Sequence, residues 1–66
     1  MDYQLQKLPE VLAITGLSRA HLYALAKKGA FPKPVKLSER SSAWVENEIN
    51  EWVQSRIDAR DTEELS

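Results

Sequence analysis

The chain has 66 residues, no cysteine and a formal net charge of −1. A domain this short buries only about 60% of the surface its unfolded chain exposes. Without thiols it has no disulfide and no thiolate metal site to reinforce it, so a reducing, cytoplasmic setting is expected.

In chain order, Leu8, Val11, Leu12 and Thr15 fall at i, i+3, i+4 and i+7, which predicts a helix over 8–15 with one buried stripe. Pro9 suits a first helical position, where the N–H it lacks has no partner to lose. Glu10 complements the helix dipole in the first turn, and Gly16 permits the left-handed conformation that stops the helix. Ser18 then serves as the N-cap of a second helix over 18–28, with Leu22, Leu25 and Ala26 inward, Lys27 and Lys28 in the last turn and Gly29 at the end. Two helices joined by a short Gly-containing turn are the mark of a helix-turn-helix. His21 stands three residues after the cap, where a capping box places Glu or Gln. The absence of an acid there favours a helix N-terminus that meets an anion.

Phe31-Pro32-Lys33-Pro34 is incompatible with helix, because two prolines at alternate positions force extended backbone and remove two donors. Val35-Lys36-Leu37 and Ser42-Ala43-Trp44 alternate inward and outward on either side of a turn-rich tetrad, which predicts a hairpin, or wing, over 35–44. Ile49, Trp52, Val53 and Ile57 share a face and predict a third helix over 45–59 whose start is poorly marked. The acidic tail, 60–66, is expected to fray. The expected architecture is one domain, mainly α with a small β-hairpin: a three-helix winged helix-turn-helix. Its core is expected to hold Val11, Leu12, Leu17, Leu22, Leu25, Phe31, Leu37, Trp44, Ile49, Trp52 and Val53.

The small net charge hides an asymmetry. Residues 1–44 carry seven cations against three acids, a net of +4, whereas residues 45–66 carry two against seven, a net of −5. Such a split favours one positive working face and one solvated face. The outward face of the second helix holds Arg19, Ala20, Tyr23, Ala24 and Lys27, with His21 at its margin. In a helix-turn-helix the start of the second helix meets base edges. Arg19 is suited to bidentate bonding with guanine O6 and N7, and Ala20 to a thymine methyl. Tyr23 or Ser18 can hold phosphate. On the wing, Lys36 and Arg40 can follow the backbone or enter a narrow minor groove.

Catalysis and metal binding have little to stand on. His21 is the single histidine, and the two glycines, Gly16 and Gly29, form no phosphate loop. Glu46, Glu48 and Glu51 lie close in sequence, but on a helix the first two point apart. No enzyme activity, cofactor or metal is expected. No apolar run approaches the ~20 residues that span a bilayer, and Met1-Asp2-Tyr3-Gln4 lacks the basic and apolar regions of a signal peptide.

The chain resembles the AlpA family of small phage and prophage regulators, excisionase-like winged helix-turn-helix proteins related to the DNA-binding domain of MerR-type regulators. The resemblance runs over about 8–60 and rests on Leu8-Pro9-Glu10-Val11, Thr15-Gly16-Leu17-Ser18-Arg19, Leu22-Tyr23, Arg40, Trp44, Glu48-Ile49 and Trp52-Val53. Its most specific part is Gly29-Ala30-Phe31-Pro32-Lys33-Pro34-Val35-Lys36-Leu37. Three positions depart from the family pattern: Ser38 stands where Gly is usual, His21 where Thr is frequent, and Ala24 where Arg is common. The resemblance implies a double-stranded DNA-binding transcriptional regulator, an excisionase, or both. Integrase or RNA polymerase would be the protein partner, and assembly on DNA would be cooperative. The competing reading is an interaction adaptor or antirepressor that uses the acidic third helix.

Overall fold

The computed structural model describes residues 2–65, with side chains described through residue 63. The elements are β1 (Leu5–Gln6), α1 (Leu8–Thr15), α2 (Arg19–Lys27), β2 (Val35–Ser38), β3 (Ser41–Val45) and α3 (Glu46–Leu65). This is a mainly helical winged helix-turn-helix. No helix among the described residues is long and apolar enough to cross a membrane.

The helix-turn-helix joint is built by local chemistry. Gly16 sits at φ 73° and donates its N–H to the Leu12 carbonyl at 2.8 Å, the single-bond left-handed stop of a helix. The Thr15 hydroxyl donates to the Val11 carbonyl at 2.8 Å and accepts the Leu17 N–H at 3.3 Å, stitching the turn from inside. Ser18 Oγ then accepts the His21 N–H at 3.2 Å, so Ser18 caps α2 rather than belonging to it. Such a cap contributes about 1 kcal/mol.

The far end of α2 closes in a Schellman motif: Gly29 donates to the Ala26 carbonyl at 3.1 Å and Ala30 to the Leu25 carbonyl at 2.9 Å. Gly29 adopts φ 81°, and a Cβ built there meets no atom within 4 Å, so any penalty for a side chain is purely conformational. Gly29→Ala is therefore expected to lower stability by about 1–2 kcal/mol, read as a shift in the urea midpoint. Gly29→Asn should cost less, because Asn tolerates the left-handed region.

Three features depart from the sequence expectation. First, the sheet has three strands in the order β1-β3-β2, all antiparallel. Leu5 pairs with Val45 and Gln6 with Trp44, so β3 is a central strand and both Ala43 and Trp44 are 1% exposed. The Glu46 N–H donates to the Gln4 carbonyl at 2.8 Å, so a backbone group from the N-terminal segment meets the start of α3, which carries no sequence cap.

Second, Leu37 is not in the core; it is 49% exposed. Val35 pairs with Ala43 and Lys36 with Ser42, but Ser38 pairs with Ser41, leaving Leu37 as the extra residue of a bulge. An extra residue breaks the inward-outward alternation on which the burial of Leu37 depended. Among the described residues none other than glycine has positive φ, so the Glu39–Arg40 turn cannot be a mirror-image hairpin turn, and the bulge takes up the twist instead.

Third, the segment expected to fray continues as helix through Leu65, while position 66 lies outside the described residues. Nothing after Pro34 breaks a helix. Successive outer turns are linked by Gln54 Nε2 to Asp58 Oδ1 at 3.0 Å and Thr62 Oγ1 to the Asp58 carbonyl at 2.9 Å, whereas the exposed Arg60–Asp61 ion pair at 2.9 Å joins neighbours and spans no turn.

The core joins Val11, Leu22, Ala26, Phe31, Trp44 and Ile49, with Leu8, Leu12, Leu17, Leu25, Trp52 and Val53 packed around it. Both tryptophans also anchor the proline-rich link between α2 and the wing. Trp44 Nε1 donates to the Pro32 carbonyl at 2.9 Å, and Trp52 Nε1 to the Ala30 carbonyl at 2.8 Å. Phe31 lies edge-on to Trp52 with ring centroids 4.9 Å apart. The prolines deprive this link of its own backbone donors, so indole N–H groups from β3 and α3 tie it down. This fixes the wing relative to α2.

Candidate nucleic-acid interface

With Leu22 and Ala26 buried and Leu25 half-buried, the periodicity of α2 fixes where its other side chains point. Ala20, Ala24 and Lys27 occupy the centre of the outward arc. Arg19 and Tyr23 form the edge toward the wing, and His21 the opposite edge. All eight residues singled out in the sequence, Ser18, Arg19, Ala20, His21, Tyr23, Lys27, Lys36 and Arg40, are exposed. Ser18 already accepts one hydrogen bond, but its hydroxyl hydrogen can still serve an incoming acceptor.

The structure sorts these residues into two groups. Arg19, Tyr23 and Arg40 line one groove of about 270 Å³ together with Lys7, Leu8, Pro9, Ser42 and Trp44. The Tyr23 ring leans on Trp44, with centroids 6.2 Å apart and planes tilted by 55°. Lys36 pairs directly with Ser42 and so belongs to the same sheet face as Ser42 and Trp44. The start of α2 and the wing thus share one side of the molecule. His21 is not part of this group. It lines a separate groove of about 310 Å³ with Leu17, Leu25, Ala30, Trp52 and Arg56, on the side of α3.

Lys7 is a basic residue of this face that periodicity and spacing do not reveal. It is the N-cap of α1 without a side-chain capping bond, and its Nζ instead donates to Ser41 Oγ at 2.5 Å, 34 residues away. No local pattern announces that contact, because it depends on how α1 docks against β3.

Acids gather elsewhere. Another groove, of about 410 Å³, is lined by Gly29, Ala30, Phe31, Pro32, Glu48, Glu51 and Trp52. Lys7, Arg19 and Arg40 line the groove between α2 and the wing, whereas Glu48 and Glu51 line the one beside the proline-rich link and α3.

The family model described as prophage CP4-57 regulatory protein (AlpA) matches residues 4–57, from just before β1 to the point where α3 leaves the core. The chain is 41% identical over 54 residues to the uncharacterized protein ORF88 of Enterobacteria phage P4, an alignment covering 82% of this chain and 61% of the phage protein. It therefore spans less than two thirds of that relative's length. It is also 36% identical over 56 residues to the DNA-binding transcriptional activator AlpA of Escherichia coli strain K12, covering 76% of this chain and 80% of that protein. With a family match over most of its length, carried on the helix-turn-helix, the wing and the core of α3, this chain belongs to the AlpA family of prophage regulatory proteins.

Proposed function

We propose that this chain is a sequence-specific double-stranded DNA-binding regulator that inserts α2 into the major groove and lays the β2–β3 wing along the flanking backbone or minor groove. The observation that carries this reading is that the outward face of α2 and the cations of the wing share one exposed side, away from the grooved acidic side of α3. Ala20 and Ala24 have side chains small enough to let the helix sit deep, with Ala20 suited to a thymine methyl. Ser18, Tyr23, Lys27 and Lys36 supply polar and cationic groups for phosphate, and His21 remains at the far margin. The printed function of the Escherichia coli relative, DNA-binding transcriptional activation, supports the same reading.

A single module of this size buries roughly 600–1,000 Å² on DNA. Useful specificity then calls for several copies on adjacent sites or for a protein partner. As a regulator it would orient RNA polymerase at a promoter. As an excisionase-type directionality factor it would shape attachment-site DNA for an integrase. The Glu48 and Glu51 side is the face left free for such a partner. Footprinting on DNA upstream of the chain's own coding sequence tests the reading: protection of a discrete site supports it, and no protection at concentrations that coat random DNA contradicts it. Lys36→Ala is expected to weaken upstream and random duplexes alike and to flatten the slope of log affinity against log salt by about 0.9. If Glu48→Lys abolishes regulation while no α2 or wing change affects duplex binding, the adaptor reading replaces this one.

A further inference from the structure

We propose that Lys7, Arg19 and Arg40 form a single seat for one DNA backbone phosphate, and that Arg19 is a phosphate ligand rather than a base reader; the proposal rests on the DNA-binding reading above. The three cations come from three separate parts of the chain: the N-cap of α1, the first residue of α2 and the turn of the wing. The fold brings them to the rim of one groove whose lining includes no carboxylate. Among the described residues, none of the three is in a salt bridge. Glu10 and Glu39, the acids nearest in sequence, are not part of the lining. Like charges gathered without a counter-ion repel one another, and a cleft of one sign concentrates its field on an incoming anion.

Ser42 and Tyr23, both of which carry a hydroxyl, are among the groove's lining residues, as is Trp44, which is 1% exposed. The bond from Lys7 Nζ to Ser41 Oγ holds one ammonium in position beside Arg40, the preceding residue. Arg19 lies on the wing-side edge of α2, whereas Ala20, Ala24 and Lys27 form the centre of the face offered to base edges. A guanidinium at that edge is directed to the strand that passes between helix and wing. Guanidinium and ammonium groups together with hydroxyls suit the non-bridging oxygens of a phosphodiester.

The test is fluorescence anisotropy over a salt series, with an upstream duplex and a random-sequence duplex of equal length, for wild type, Lys7→Ala, Arg19→Ala, Arg40→Ala and the triple variant. All three side chains are exposed, so thermal unfolding should be little changed. Each single change is expected to weaken both duplexes by the same factor. Because the three share one phosphate, the triple variant should lower the salt slope by about 0.9, the value for one contact, rather than three times that. The seat is overturned if Arg19→Ala weakens the upstream duplex tenfold more than the random one, or if the losses and slope changes add as three independent contacts. Tight, saturable binding of inorganic phosphate at constant ionic strength also overturns it, because that is a site for free anion rather than for backbone. A wild type that binds neither duplex overturns the DNA-binding reading itself.

Discussion

Replacing Trp44 by alanine is expected to remove a large part of the protein's stability and to move its urea midpoint sharply downward. Trp44 is the largest fully buried side chain, sits on the central strand and donates to the Pro32 carbonyl at 2.9 Å. Truncating a buried tryptophan costs about 3–5 kcal/mol. A chain of this length has roughly 3–10 kcal/mol of total stability at 0.05–0.15 kcal/mol per residue. Trp44→Phe keeps most of the apolar volume but removes the donor for Pro32, and the loss should be about 1–3 kcal/mol. Urea unfolding followed by circular dichroism, with Trp52 fluorescence as a second probe, measures both. A wild-type midpoint in Trp44→Ala would show that the wing packs independently of the helical core, contrary to the structure.

Placing a carboxylate at Ala24 should abolish duplex binding without unfolding the protein. Ala24 is exposed at the centre of the outward arc of α2, so a glutamate there meets only water in the free protein and costs a few tenths of a kcal/mol in helix propensity. In a major groove the same carboxylate faces phosphates and base acceptors, and like-charge juxtaposition costs several kcal/mol. The expected loss is about 100-fold or more, since each 1.4 kcal/mol is tenfold. Glu51→Lys, on the opposite side, should leave site preference unchanged. Equal binding by Ala24→Glu and wild type would remove α2 from the interface.

The parts of this fold that were legible in the sequence are those with local causes. Gly16, Ser18 and Gly29 mark the helix ends through their own backbone and side-chain bonds, and the stripes of α1 and α2 need only 3.6-residue periodicity. The two prolines announce the extended link by themselves. What escaped depends on partners distant in sequence. A strand as short as Leu5–Gln6 has no alternation to read, and it exists because β3 offers an open edge. The bulge at Leu37 comes from closing a tight hairpin where no residue adopts positive φ. Lys7 joins the candidate interface through a contact with Ser41 that only the docking of α1 on the sheet creates. The outward residues of α2 could be named from the sequence, but the split between Arg19 and Tyr23 on one edge and His21 on the other carries meaning only once the wing and α3 occupy their sides.

Mapping the backbone amides of ¹⁵N-labelled protein during titration with the upstream duplex is the most direct test that α2 and the wing form the DNA-binding face. The expected result is that perturbations cluster at Lys7, along α2 from Arg19 to Lys27 and across Val35–Val45, with α3 beyond Ile57 unaffected. Perturbations confined to α3 and the groove of Glu48, Glu51 and Trp52 would contradict it and place the working surface on the acidic side.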